Sequence, residues 1–347
     1  MENRISFQKI YNHLGDELSK EVFGYRVMYT ETGGGLAGGD SLWLYKIIGT
    51  IPNLPPKFWE KNVKRVVFGA GSFGKDLVRF FPGKFECMVD NYQCGTEYKG
   101  VPVLSLKECL SLYPDDDIYV ASSIYHDDIV HQLKEAGVEE NRIYDLSGEY
   151  YDLESRQYFD LPYLIHDKDE IFVDCGCLNG QTSKNFIRWA NNQYKHIYAF
   201  EPEIDKIAEC KKTLPQDKVS IYNLATWGKK TKLHFSDGRG GSSCICQEGK
   251  VVVDADSLDN VLGDKKVSFI KMDIEGAELE TLKGSKHLIQ KYHPKLAISI
   301  YHCPNDIYEI PLLLLQYNPD YTFYMRHYSY NPGETVLYAV NKGKIEK

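Results

Sequence analysis

No stretch of the 347-residue sequence approaches the roughly 18 apolar residues that a membrane-spanning helix requires. The opening residues, Met1-Glu2-Asn3-Arg4, lead into a polar helical pattern and lack the apolar core of a signal peptide. An excess of positive charge is missing too. Lys and Arg number 41 against 49 Asp and Glu, and a net charge of −8 disfavours nonspecific binding to nucleic acid or anionic lipid. The usual C-x2-C spacing of a zinc site is absent. Cys175/Cys177 and Cys244/Cys246 are C-x-C pairs, but no histidine stands at an interval that completes four ligands. The nine cysteines are therefore expected as reduced, mostly buried thiols. Together these absences describe a soluble cytoplasmic chain.

What is present is globular. Hydrophobic residues make up 43 % and charged residues 26 %, which argues against a mainly disordered chain. At roughly 150 residues per domain the length suggests two domains. The 26 tyrosines supply core surface with polar tips and suit sugar stacking. Residues 1–60 read as an N-terminal helical appendage, with the glycine-rich stretch Gly33–Gly39 and the breakers Pro52, Pro55 and Pro56.

Residues 61–150 read as a small Rossmann-like α/β domain. Arg65-Val66-Val67-Phe68 is strand-like and is followed by Gly69-Ala70-Gly71-Ser72-Phe73-Gly74, a G-x-G-x-x-G turn. A helical pattern from Asp76 to Phe81 follows, then a strand from Phe85 to Val89 that ends at Asp90. This order is the dinucleotide fingerprint, with glycines for the turn and an acid for a ribose hydroxyl. The same turn also serves plain helix–strand packing, and only one mononucleotide half fits the length. NAD is thus not expected there.

From residue 151 the pattern restarts. Glu170-Ile171-Phe172-Val173 is a strand that ends in Asp174-Cys175-Gly176-Cys177-Leu178-Asn179-Gly180, and Gln181–Phe186 opens a helix. The next strand, His196–Phe200, closes on Glu201-Pro202. An acid at the head of the loop would repel a pyrophosphate but suits a cofactor with an ammonium and a sulfonium, such as S-adenosylmethionine. Gly176 and Gly180 would allow close backbone approach, and Glu201 could accept hydrogen bonds from both ribose hydroxyls. The terminal strands Tyr321–Arg326 and Glu334–Val340, around a turn at Asn331-Pro332-Gly333, add an antiparallel hairpin to an otherwise parallel sheet.

The segment Lys271-Met272-Asp273-Ile274-Glu275-Gly276-Ala277-Glu278, with Leu282-Lys283-Gly284 after it, resembles the signature of the FkbM family of methyltransferases. The likeness runs from about Glu170 to Val340. It includes Phe172–Gly176, Phe200-Glu201-Pro202, Tyr324–Ser329 and Glu334–Ala339. It implies a Rossmann-like domain over residues 151–347 that transfers methyl from S-adenosyl-L-methionine, most often to a hydroxyl of a sugar or natural-product precursor. The expected cofactor-binding set is Asp174, Gly176, Cys177, Asn179, Gly180, Thr182, Glu201, Pro202, Ala225 and Asp273.

Methyl transfer mainly needs an aligned acceptor and a group that removes its proton. Asp273, His302 and Glu275 are the expected catalytic residues, because they sit at or just after carboxyl ends of strands. Glu278 reads as a helix-start carboxylate. His327 also lies near a strand end, while His287 and His293 look structural. A divalent cation near Asp273 would lower the acceptor's pKa, but its ligands are not legible. The loop Gly238–Ser243 could cover the site. Two other functions compete: a nicotinamide-dependent sugar-modifying enzyme, and a noncatalytic nucleotide-sugar-binding protein. Neither a Y-x3-K pair nor a second nucleotide-binding half supports the first, and the intact Asp174, Gly176, Gly180, Glu201 and Asp273 argue against the second.

Overall fold

The computed structural model describes residues 2–32, 55–60, 63–122, 124–147, 153, 155–235, 251–329 and 332–341. The Gly33–Gly39 stretch, Pro52, the Gly238–Ser243 loop, the Cys244/Cys246 pair and Asn331 lie outside the described residues. The chain divides into two compact units. Met1–Glu31, Arg156–Arg326 and Gly333–Lys347 form the larger, and Thr32–Ser155 with His327–Pro332 the smaller. The N-terminal helices Glu2–Tyr11 and Glu17–Glu31 thus count with the larger unit.

The smaller unit holds strands β1 (Arg65–Phe68), β2 (Cys87–Val89), β3 (Glu97–Tyr98), β4 (Val101–Leu104), β5 (Asp117–Val120) and β6 (Ile143–Asp145). They form one sheet in the order β3-β4-β2-β1-β5-β6. All neighbours run parallel except β3 with β4. Helices Ser72–Phe80, Leu106–Leu112 and His126–Glu135 connect the parallel strands, as parallel pairing demands. The sheet extends beyond the single half expected, because the short β4 and β6 carry too few residues to announce themselves. Val66, Phe68, Val89, Ile118, Val120 and Leu133 form its core.

The larger unit holds β7 (Ile171–Cys175), β8 (His196–Phe200), β9 (Val219–Tyr222), β10 (Ala225–Thr226), β11 (Thr231–Phe235), β12 (Val251–Asp256), β13 (Phe269–Met272), β14 (Lys295–Ser299), β15 (Tyr321–His327) and β16 (Thr335–Asn341). Seven of them make the main sheet, ordered β15-β16-β14-β13-β7-β8-β9. Strands β14, β13, β7, β8 and β9 are parallel, and β16 runs antiparallel to β14. The arrangement is Rossmann-like, with the C-terminal antiparallel addition that the sequence suggests. Central strands β7, β13 and β14 are buried at every residue, which accounts for their near-continuous apolar composition. The strand order reverses direction at β7, so the carboxyl ends of β7, β8 and β13 border one crevice.

A separate three-stranded sheet, β10-β12-β11, interrupts the chain between β9 and β13. It has a small core of Ala225, Leu233 and Ala255. Helix Asp306–Tyr317 buries Pro311, Leu314 and Leu315. The outer edge of β15 is covered by the N-terminal segment: Gly15 N donates to Phe323 O at 2.8 Å, and Phe323 N donates to His13 O at 2.7 Å. Among the described residues no helix is long and apolar enough to cross a membrane.

Candidate active site

A cavity of about 750 Å3 opens at the carboxyl ends of the main sheet. Gly176, Glu201, Pro202, Ala225, Asp273 and Glu275, all expected site residues, line it. Leu233, Phe235 and Val251–Val253 of the inserted sheet form an apolar wall. The sequence reading did not include this wall, because β11 and β12 reach the crevice only through the sheet they build together.

The loop after β7 is shaped by backbone crowding. Gly176 has φ +75°, and a Cβ there would lie 2.1 Å from Asp273 O. The glycine is therefore required by the crossing of two turns, a different reason from the cofactor approach expected of it. Asp174 is fully buried and does not line the cavity. In the parallel register of β7 and β13 it faces Lys271. Lys271 Nζ lies 3.2 Å from Asp174 Oδ1, and Ser183 Oγ donates to Asp174 Oδ2 at 2.7 Å. Burial pushes the Lys271 ammonium down, but the charges of Asp174 and Asp273 outweigh it and hold its pKa above the ordinary value. Lys271 Nζ also donates to Gly176 O at 2.7 Å. The pair thus anchors the loop from beneath.

The other loop residues expected to touch a cofactor take structural places. Cys177 is buried with its sulfur 3.7 Å from that of Cys210, and both are free thiols. Asn179 is exposed and accepts from Gln181 N. Gly180, at φ +85°, caps helix Gln181–Trp189. Thr182 lies on that helix's first turn, and neither it nor Gly180 lines the cavity.

Glu201, just past β8, is 5 % exposed. Its Oε2 accepts from Leu178 N and its Oε1 from Glu203 N, each at 2.9 Å. Each oxygen keeps a second lone pair. Burial raises its pKa to about 7 despite those two amides. Asn223 Nδ2 donates to Glu201 O and Pro202 O, which ties the β8 and β9 ends together.

Asp273 follows β13 and also lines the cavity. Its Oδ2 accepts from Tyr158 Oη at 2.8 Å and its Oδ1 from Tyr301 Oη at 3.2 Å. Tyr301 Oη also lies 3.0 Å from Glu334 Oε1, and Gln157 Nε2 donates to Glu334 Oε2 at 2.7 Å. Burial acts to raise the Asp273 pKa, but Lys271 and His302 hold it below the ordinary value. The network partners Tyr158, Tyr301 and Glu334 escaped the sequence reading. Tyr158 belongs to no motif and reaches the site across 115 positions of sequence. Lys271 was visible as a charge in an apolar strand, but not as the partner of Asp174.

His302, after β14, packs its ring beside Asp273. Its Nε2 lies 3.6 Å from both Asp273 Oδ1 and Glu275 Oε2, and its Nδ1 lies 3.0 Å from Glu278 Oε1. Burial lowers its pKa, but contact with Glu278 and the charges of Glu278, Asp273 and Glu275 raise it to about 9. Three carboxylates around one imidazole favour its charged form. Glu278 opens helix Glu278–Lys283 and accepts from Ile274 N at 2.8 Å. Glu275 holds φ +56° beside Gly276 at φ +95°, a tight acidic turn. Of the remaining histidines, His327 is buried, His287 contacts Asp264 at the surface and His293 caps a helix.

In the smaller unit, the glycine turn keeps its own acid occupied. Asp90 Oδ2 accepts from Ala70 N, and Oδ1 accepts from Tyr92 N and Gln93 N. The carboxylate at the fingerprint's acid position thus braces the loop.

Comparison with known proteins agrees with this fold. Residues 174–332 match the Methyltransferase FkbM domain model. The 2-O-methyltransferase NoeI of Sinorhizobium fredii is 24 % identical over 153 residues, 37 % of this chain. The chain spans 62 % of that relative's length. The crystal structure of methyltransferase FkbM from Methylobacillus flagellatus KT shares the fold at 19 % identity and a TM-score of 0.50, covering 92 % of this chain and 99 % of that one. Residues 174–332, with their acidic turn and their Rossmann-like sheet, thus match a methyltransferase domain of the FkbM type.

Proposed function

We propose that the chain transfers a methyl group from S-adenosyl-L-methionine to a hydroxyl oxygen of a saccharide, glycoconjugate or natural-product precursor. The carrying observation is the charge of the cavity wall. Glu201, Glu203, Asp205, Asp254, Asp273 and Glu275 line it, and no Lys, Arg or His stands among the described lining residues. Such a wall opposes a phosphate-bearing nucleotide and favours a ligand that carries an ammonium and a sulfonium. Its volume lies within the usual range for small-molecule sites.

Glu201 would hold the ribose through the free lone pair on each carboxylate oxygen, with Pro202 and Ala225 beside it. The bound cofactor supplies an electrophilic methyl carbon. Asp273, steadied by Tyr158 and Tyr301, would orient the acceptor hydroxyl and take its proton at a carboxylate oxygen. The relative named as a 2-O-methyltransferase supports oxygen as the acceptor atom.

Calorimetry tests the cofactor reading. Glu201→Ala should weaken S-adenosylmethionine binding by about 2 kcal/mol or more, since charge-assisted hydrogen bonds are lost. Asp273→Asn should leave that affinity nearly intact. With labelled cofactor and a saccharide panel, it should lower kcat by about 10²–10⁴. Unchanged affinity in the first variant would sink the cofactor assignment, and full turnover in the second would sink the role of Asp273.

A further inference from the structure

We propose that Asp273, Glu278 and His302 form a site for a first-row divalent metal ion at the Asp273 end of the cavity. The three residues come from separate elements, and one ligand atom of each lies within 4.8 Å of the others. Donors bonded to one ion at about 2.1 Å stand roughly 3.0–3.5 Å apart. His302 Nδ1 stands 3.0 Å from Glu278 Oε1, within that spacing, while Asp273 Oδ1 lies 3.6 Å from the ring's other nitrogen and would have to move closer to complete the set. An imidazole binds an ion through one nitrogen, and Nδ1, beside the buried Glu278, is the one this site would use.

A second observation points to a ligand. Glu278 is 0 % exposed, yet its Oε2 has no hydrogen-bond partner among the described residues. His302 Nε2 also lacks a partner in hydrogen-bond geometry, its neighbouring carboxylate oxygens standing 3.6 Å away. Buried polar atoms left unpaired are costly, and coordination would satisfy them. Glu275 Oε2, 3.6 Å from His302 Nε2, offers a further oxygen at the cavity side. An imidazole among carboxylates favours ions such as Mn2+ or Zn2+ over Mg2+ or Ca2+. Asp273 lines the cavity, so an open coordination position there could polarise an acceptor hydroxyl. That role rests on the function proposed above, whereas occupancy of the site does not.

The test is a Mn2+ titration of the full chain without cofactor, followed by loss of the free-ion electron paramagnetic resonance signal, with Zn2+ as competitor. One ion per chain is expected. His302→Ala and Glu278→Gln should each weaken it by roughly tenfold or more. Asp273→Asn, which keeps shape, serves if circular dichroism shows that the other two misfold. Glu201→Ala should bind Mn2+ as the wild type does while losing S-adenosylmethionine, which separates this site from the cofactor reading. A wild-type chain that leaves the Mn2+ signal unchanged would overturn the proposal. So would binding that persists in every folded variant of the trio, and the cluster would then be an imidazolium held by carboxylates.

Discussion

Glu201 carries two opposed pH effects in one carboxyl group. Its folded pKa of about 7 lies above the ordinary glutamate value of 4.5 because the side chain is buried. A raised acid pKa means that the folded state binds the proton more tightly than the unfolded chain does. Its contribution to stability is therefore present at low pH and is lost as pH rises from about 4.5 through 7. Ligand binding should run the other way, because the ribose hydroxyls need the ionised acceptor. Between pH 8 and pH 6 the affinity for S-adenosylmethionine should fall about tenfold, measured by calorimetry at the two values. A flat profile would show that Glu201 does not receive the ribose. Lys271 and Asp174 illustrate the opposite design at this scale, a buried pair whose charges offset each other under the loop.

At the scale of elements, the two glycine turns solve different problems with similar sequences. In the smaller unit, a Cβ on Gly74 would lie 1.8 Å from Gly69 O, whereas one on Gly71 would meet nothing within 4 Å. The first and third glycines of G-x-G-x-x-G are thus packing residues, and the middle one is not. Gly74→Ala should lower the melting temperature measurably, by an overpacking cost of about 1–3 kcal/mol. Gly71→Ala should leave it nearly unchanged, which reverses what the motif alone suggests for that position. Thermal unfolding of both variants decides the matter, and equal losses would refute this account of the turn. In the larger unit, Gly176 is fixed both by its own positive φ and by the turn after β13. Motif spacing located both turns, but the reason for each glycine depends on which backbone passes beside it.

For the whole molecule, the N-terminal segment is the clearest case of a role hidden from sequence. Arg326 Nη2 donates to Asp16 Oδ2 at 2.6 Å, and Met325 N donates to Ser19 Oγ at 3.0 Å. Ile10, Leu14, Val22 and Phe23 join the main core of the larger unit. Removing residues 1–31 should expose the β15 edge and part of that core, and an uncovered edge invites pairing between chains. The truncated protein should aggregate or unfold at a much lower temperature, as light scattering and calorimetry would show. A truncated chain as stable as the full one would contradict this role.

The sequence by itself determined the α/β class, the terminal antiparallel addition, and the positions of Glu201 and the Asp273 turn. These follow from short-range signals: apolar strands, glycine turns, and acids at strand ends within a few residues of one another. The tertiary structure alone decided what those acids touch. Tyr158 reaches Asp273 across 115 positions, and Gln157 reaches Glu334 across 177. The same holds for the apolar cavity wall from β11 and β12, and for the pairing of Lys271 with Asp174 across β13 and β7. Local periodicity fixes an element and its exposed end. Which side chains converge on that end depends on strand order and register, and these are set by burial of the whole sheet.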